Sequence, residues 1–192
     1  MKYSPVFQGT TWLASAAESM VIIGSLWDMP QLPHTISALL NVPLGPAEAS
    51  KFTVPFVLGA SLVVTGGILR FQSFRTLGPY FTFEQCIRKE HKLITHGPYA
   101  IVRHPGYAGL LMCIFGWWTV HGSPGSWLRE SGILGVTWIK VGLVSWNLLA
   151  AASVVTVVRR STEEDWFLSK RFGKEWESWA RRVKYRLVPF VY

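Results

Sequence analysis

The sequence predicts an all-α integral membrane protein with about four transmembrane helices, or five. Of its 192 residues, 49% are hydrophobic and only 16% are charged, and the mean hydropathy is +0.26. Soluble domains usually contain roughly 25% charged residues. The apolar residues also form long blocks, whereas the helices of a soluble domain would repeat them periodically. Because about 20 mostly apolar residues cross a bilayer, and only helices or closed barrels do so, these blocks predict helices.

Four apolar blocks are candidate spans. They cover residues 11–27, 52–71, 107–120 and 132–158. Glu18, Arg70 and Lys140 are the main charged residues within them.

The basic residues predict one orientation in the membrane. Fifteen of the 19 Lys and Arg residues lie either between residues 70 and 103 or from residue 159 onward. The positive-inside rule assigns both segments to the cytoplasm. We therefore expect two parts: an N-terminal transmembrane helix pair (1–70) and a core (71–192). The core would comprise a cytosolic loop (71–106), a helical hairpin (107–158) and a cytosolic tail (159–192).

The net charge of +8 suggests two kinds of partner. Clustered basic residues can bind nucleic acid, but here they flank the apolar blocks, which favours membrane lipid and predicts no nucleic-acid partner. Cys86 and Cys113 form neither a disulfide framework nor a zinc-site pattern, so no metal is expected.

The tail carries a helical pattern. Phe172, Trp176, Trp179 and Val183 follow each other by four, three and four residues, which predicts an amphipathic helix lying on the membrane or on the loop. Ser161 or Thr162, with Glu164 or Asp165 nearby, could cap its start.

Ionisable residues are concentrated where the loop meets the third apolar block. Tyr99, Arg103, His104 and Tyr107 all lie there. Polar groups at the edge of a membrane span are costly to keep, so they indicate a functional site. Taken alone, His104 would more often be an ordinary interfacial histidine.

A second polar cluster, residues 159–164, follows the fourth block. On spacing alone, it would form two surface ion pairs, Arg159 with Glu163 and Arg160 with Glu164.

Together the two clusters resemble the isoprenylcysteine carboxyl methyltransferase family of membrane enzymes. Residues 93–109 match the family pattern Leu-x-x-x-Gly-x-Tyr followed by Arg-His-Pro-x-Tyr-x-Gly. After a hydrophobic hairpin, the match continues with Arg160, Glu163, Glu164, Phe172, Gly173, Trp176 and the sequence Leu-Val-Pro-Phe at 187–190. The resemblance covers residues 84–192.

The resemblance implies methyl transfer from S-adenosyl-L-methionine to the α-carboxylate of a C-terminal prenylated cysteine in proteins or peptides. The cytosolic loop and the C-terminal amphipathic helix would form the cofactor pocket. Arg160 would bind the substrate and be catalytic together with Glu163, and the location would be the endoplasmic reticulum. The implied cofactor contacts are His91, Lys92, Leu93, Ile94, Tyr99, His104, Pro105, Gly106, Tyr107 and Glu164.

The residue types suit this chemistry. A carboxylate is already ionised at neutral pH, so its methylation needs positioning rather than a general base. The guanidinium of Arg160 can bind a carboxylate through two hydrogen bonds. Glu164 can accept from the cofactor's ammonium or ribose hydroxyls, and Tyr99, Tyr107 and His104 can donate to its carboxylate or pack on its adenine. We expect Tyr107 and Glu164 to lie close together.

Three other functions stay open at this point. A methyltransferase of this kind could act on a phospholipid amine or another small lipophile, although an amine gives Arg160 no role. A nicotinamide-dependent membrane reductase is a further alternative, but the chain shows no convincing phosphate-binding glycine loop. The last alternative is a non-enzymatic four-helix membrane protein that binds anionic lipid.

Overall fold

The computed structural model describes residues 52–80 and 92–192, together with residues 15, 16 and 19. These residues form α-helices and short 3-10 helices and contain no β-strand, which confirms the all-α prediction for this part of the chain. The α-helices are α1 (Val54–Leu77), α2 (Pro105–Gly122), α3 (Trp127–Glu130), α4 (Thr137–Phe172) and α5 (Lys174–Arg182). The 3-10 helices are Gly78–Tyr80, Gly97–Ala100 and Ile133–Gly135.

Two helical segments of the described residues are long and apolar enough to cross a membrane, Val54–Tyr80 and Thr137–Phe172. They contain most of the second and fourth apolar blocks. Large apolar side chains on both helices face outward; Leu148, for example, is 67% exposed. The third block lies within α2, while the first lies outside the described residues except for positions 15, 16 and 19. The count of four spans therefore stays a prediction.

Helix α1 continues beyond the apolar block that predicts it. The block ends at Phe71, whereas the helix ends at Leu77. The charge of Arg70 does not interrupt the helix, because its Nη1 donates to the Gly106 carbonyl at 2.9 Å and its guanidinium lies 5.1 Å from the Phe74 ring centroid.

Helix α4 is continuous through residues 161 and 162, where the sequence predicts the start of a new helix. The proposed caps, Ser161 and Thr162, lie in its interior, and both hydroxyls donate to the Val158 carbonyl at 2.7 and 3.3 Å. The capping prediction is therefore wrong. The helix breaks instead at Gly173, whose φ of +50° favours glycine.

Helix α5 follows this break and is amphipathic, but it contains only Trp176 and Trp179 of the four residues whose spacing predicts one helix. Phe172 ends α4, and Val183 lies beyond α5. Trp179 is only 2% exposed, while the charged residues of α5 are exposed. The acidic Glu175 and Glu177 lie in its first turn and the basic Arg181 and Arg182 in its last, which complements the helix dipole.

The chain divides into two compact units. Of the described residues, the first unit contains 62–80, 92–114 and 151–192. The second contains 15, 16, 19, 52–61 and 115–150. In the first unit, α1 and α2 approach so closely that a Cβ at Gly66 would lie 2.6 Å from the Gly109 carbonyl oxygen. Leu111, Val157 and Leu187 form a buried apolar cluster there. All predicted site residues that the structure describes belong to this unit.

The second unit is organised around aromatic and hydroxyl side chains. The rings of Trp117 and Trp146 have centroids 3.7 Å apart. The buried hydroxyl of Ser126 donates to the His121 carbonyl at 2.8 Å, near the turn between α2 and α3.

Candidate active site

Backbone hydrogen bonds fix the chain at Arg103 and His104. The N–H groups of Arg103 and His104 donate to the carbonyls of Tyr185 and Arg186, both at 2.9 Å. Pro105 then begins α2, at the helix position where proline is favoured. The loop before α2 is thus fixed to the C-terminal segment, which we define as residues 183–192.

The imidazole of His104 lies between two carboxylates of α4. Its Nε2 lies 3.0 Å from Asp165 Oδ1, and its Nδ1 lies 3.4 Å from Glu164 Oε2. His104 is only 6% exposed. Burial lowers the pKa of His104, but the hydrogen bonds and charges of Asp165 and Glu164 outweigh it, and the net pKa is raised above its ordinary value.

Tyr107 connects α2 to the same part of α4. Its hydroxyl donates a hydrogen bond to Glu164 Oε1, and its ring is stacked with His104 at a centroid separation of 5.8 Å. This contact confirms the prediction that Tyr107 and Glu164 lie close together. The Glu164 side chain is 29% exposed, so its remaining lone pairs can accept hydrogen bonds from a ligand.

Tyr99 lies within electrostatic reach of the same carboxylate. Burial raises the pKa of the Tyr99 hydroxyl, and the charge of Glu164 raises it further. The Tyr99 carbonyl accepts a hydrogen bond from Trp179 Nε1 at 3.1 Å, which attaches α5 to this loop.

The centre of the charge network is Asp165, for which the sequence predicts only a place near a helix cap. Asp165 is 4% exposed. Its Oδ2 lies 2.8 Å from Arg103 Nη1 and 3.0 Å from Arg186 Nε, in addition to the contact with His104. Arg186 also donates to the hydroxyls of Thr162 and Tyr192, at 3.0 and 2.8 Å. Asp165 thereby joins the loop, α4 and the C-terminal segment.

The two predicted catalytic residues lie on α4 just before this network. Arg160 is half-buried and Glu163 is exposed. Within the described part of the chain, neither Arg160 with Glu164 nor Arg159 with Glu163 forms the surface ion pair that their spacing permits. The Glu164 carboxylate instead contacts Tyr107 and His104.

The other predicted cofactor contacts differ in their surroundings. Lys92 is exposed, and Leu93 and Ile94 are half-buried in an irregular segment. Pro105 is fully buried, and the Gly106 carbonyl accepts from Arg70. His91 lies outside the described residues.

The described site offers acceptors and donors rather than metal ligands. No group of three His, Cys, Asp or Glu residues in the described ranges could hold a metal ion. Glu164 is a partly exposed carboxylate beside the buried His104 and the half-buried Tyr107, and the half-buried Arg160 lies one helical turn earlier. This set suits a ligand with a cationic or hydroxyl group next to a second ligand with a carboxylate.

Known proteins resemble the chain over most of its length. A family model described as phospholipid methyltransferase matches residues 54–142. A relative named probable protein-S-isoprenylcysteine O-methyltransferase, from Oryza sativa subsp. indica, is 30% identical over 162 residues, which is 83% of this chain and 72% of the relative.

Two relatives from Arabidopsis thaliana carry related names. Protein-S-isoprenylcysteine O-methyltransferase B is 32% identical over 135 residues, 69% of this chain and 58% of its own length. Form A is 30% identical over 175 residues, 90% and 78% respectively. No solved structure matches the chain.

Proposed function

Because the chain belongs to the protein-S-isoprenylcysteine O-methyltransferase family, we propose that it transfers a methyl group from S-adenosylmethionine to the α-carboxylate of a C-terminal prenylated cysteine. The observation that carries this proposal is the hydrogen bond from Tyr107 to Glu164. It joins the two polar clusters that carry the family pattern, which are remote in sequence.

The proposed cofactor site is formed around Glu164. This carboxylate would accept from the ammonium or the ribose hydroxyls of the cofactor, and Tyr99 and Tyr107 would border it. When bound, S-adenosylmethionine would supply a methyl group on a sulfonium, which a carboxylate oxygen can attack. The full proposed set is His91, Lys92, Leu93, Ile94, Tyr99, His104, Pro105, Gly106, Tyr107 and Glu164.

Arg160 would bind the acceptor. It lies on α4 one turn before Glu164, is half-buried and has no ion pair among the described residues. Its guanidinium is therefore available for two parallel hydrogen bonds to the substrate carboxylate. Glu163, three residues after Arg160 on the same helix, is proposed as the second catalytic residue.

Positioning would contribute most of the catalysis. The acceptor carboxylate is ionised at neutral pH, so the chain need not remove a proton from it. Holding two reactants in a productive geometry can supply much of the reduction in the barrier. The exposed apolar faces of α1 and α4 would let the prenyl chain arrive through membrane lipid. We propose the endoplasmic reticulum as the location, with the site on the cytosolic side.

A second candidate acceptor is a phospholipid amine. It is favoured by the description of the family model that matches residues 54–142. Its amine would not pair with Arg160, because a guanidinium attracts a carboxylate and repels an ammonium. We therefore rank it below the prenylated cysteine.

The test uses purified protein in liposomes that contain phosphatidylethanolamine. Radiolabelled S-adenosylmethionine is added with N-acetyl-farnesylcysteine, or with its amide, in which the carboxylate is blocked. We expect a base-labile methyl ester with the free acid and none with the amide. Label on phosphatidylethanolamine instead would favour the second candidate, and no transfer to either acceptor would contradict the methyltransferase proposal.

A further inference from the structure

The position of His104 between two carboxylates favours a proton on both ring nitrogens. Nε2 faces Asp165 Oδ1 at 3.0 Å, and Nδ1 faces Glu164 Oε2 at 3.4 Å. A neutral imidazole has one N–H, so one of its nitrogens would direct a lone pair at a carboxylate oxygen. Only the imidazolium donates in both directions.

Asp165 is the stronger of the two partners of the ring. The Asp165 side chain is 5% exposed and its Oδ1 lies 3.0 Å from Nε2, whereas the Glu164 side chain is 29% exposed and its Oε2 lies 3.4 Å from Nδ1. Arg103 and Arg186 contact the other oxygen of Asp165, so the carboxylate cannot rotate away without leaving buried or half-buried cations behind.

His104 itself has little to offer a ligand directly. It is 6% exposed, both ring nitrogens face carboxylates, and one ring face is stacked with Tyr107. Beyond the contact proposed for it above, His104 would therefore act on a bound molecule through its charge on Glu164, whose second oxygen accepts from Tyr107.

We propose that Asp165 is a positioning residue that keeps His104 as a buried imidazolium, and that this cation in turn fixes the Glu164 carboxylate for cofactor binding. The second half rests on the proposed function, whereas the protonation of His104 does not. In this role His104 carries its second proton at neutral pH and does not act as a general base. Asp165 lies outside the family pattern that the sequence analysis recognised.

The charged groups around the ring agree with this assignment. Asp165 and Glu164 face it from α4, and Tyr107 is stacked with it from α2. Arg103, from the loop, and Arg186, from the C-terminal segment, reach it only through Asp165. The carboxylates raise the pKa of His104 against the effect of burial. Removal of the Asp165 charge would leave only Glu164 to raise it, against burial and two nearby cations.

The first test measures the ring directly. Protein labelled with ¹⁵N-histidine is studied by NMR in detergent, and His104→Gln assigns the signals among the five histidines. We expect both His104 nitrogens to carry protons at pH 7 in the wild type and only one in Asp165→Asn. A wild-type His104 with one protonated nitrogen at pH 7 would overturn the proposal, even if the variant failed to fold.

The second test measures the affinity for S-adenosylmethionine by equilibrium binding between pH 6 and pH 8. We expect no pH dependence from His104 in the wild type. In Asp165→Asn, binding at pH 8 should become about ten-fold weaker, because the loss corresponds to one charge-assisted hydrogen bond. The affinity should recover as the pH falls. Asp165→Glu should restore part of the affinity. Glu177→Gln, which removes an exposed acidic group of α5, is the control for charge and should bind like the wild type.

The outcomes separate this proposal from the proposed function. An equal loss of affinity at every pH in Asp165→Asn would indicate a purely structural role and contradict the inference. A wild type that binds no S-adenosylmethionine would contradict the proposed function, while the NMR result would still decide the protonation of His104.

Discussion

Tyr107, the third residue of α2, donates its hydroxyl proton to Glu164, which lies 57 positions later in α4. The polar clusters around Tyr107 and around Glu164 do not by themselves indicate one function, and this contact brings them into one site. The partly exposed Glu164 lies beside the half-buried Tyr107 and the buried His104, and Arg160 lies one turn away on the same helix. Glu164, the proposed cofactor ligand of α4, and Arg160, the proposed acceptor residue, are therefore neighbours along a single helix.

Tyr107→Phe should weaken the binding of S-adenosylmethionine with little effect on folding. The substitution removes the hydroxyl that orients Glu164 and keeps the ring that is stacked with His104. A lost hydrogen bond to a charged group costs about 1.5–3 kcal/mol, or about ten-fold or more in affinity. Titration calorimetry measures the change. Tyr185→Phe, whose hydroxyl has no hydrogen bond among the described residues, is the control, and equal affinity in both variants would exclude this role for Tyr107.

Arg160→Ala should abolish the formation of methyl ester while S-adenosylmethionine still binds. The variant removes the cation proposed to bind the acceptor carboxylate and leaves the groups around Glu164 in place. Arg159→Ala removes the neighbouring, exposed cation of the same helix and should keep its activity. The liposome assay measures both variants, and full ester formation by Arg160→Ala would remove Arg160 from the mechanism.

The stability that His104 contributes should decrease as the pH rises. Its pKa is raised in the folded protein, so the contribution is complete below the unfolded value of about 6.5 and is lost as the pH passes the folded value. Thermal unfolding of the wild type and His104→Gln from about pH 6 to pH 9 provides the measurement. The advantage of the wild type should shrink over this range, and an advantage that grows with pH would contradict the raised pKa.

The sequence predicts the parts of this site whose signal is local. Both partners of the contact lie in such signals: Tyr107 belongs to the pattern of residues 93–109, and Glu164 belongs to the acidic pair 163–164. Helix ends are less predictable. Arg70 lies near the end of an apolar block, yet the helix continues past it because its guanidinium donates to the Gly106 carbonyl. Ser161 and Thr162 resemble caps in sequence, yet the helix around them is uninterrupted.

Asp165 shows why the rest could not be predicted. In the sequence it is the last of three consecutive acidic residues in a charged stretch, which is typical of a solvated helix face. Its burial results from His104, 61 positions earlier, and from Arg186 in the C-terminal segment. Neither partner is adjacent in sequence, so only the tertiary packing distinguishes Asp165 from Glu163.

Gly66→Ala should destabilise the first unit, and Gly67→Ala should not. A Cβ at Gly66 would lie 2.6 Å from the Gly109 carbonyl oxygen, a backbone atom, whereas nothing lies within 4 Å of a Cβ at Gly67. Overpacking of this kind costs about 1–3 kcal/mol, while alanine favours a helix over glycine by about 1 kcal/mol. Thermal unfolding in detergent compares the two variants, and equal midpoints would argue against close packing of α1 on α2.

The affinity of Glu164→Ala for S-adenosylmethionine is the most direct test of the proposed site. The account predicts that this variant binds the cofactor at least about ten-fold more weakly than the wild type, because it loses the only partly exposed carboxylate of the described network. Arg160→Ala, measured beside it, should bind like the wild type. Wild-type affinity in Glu164→Ala would contradict the proposal that the cofactor lies where Tyr107 meets α4.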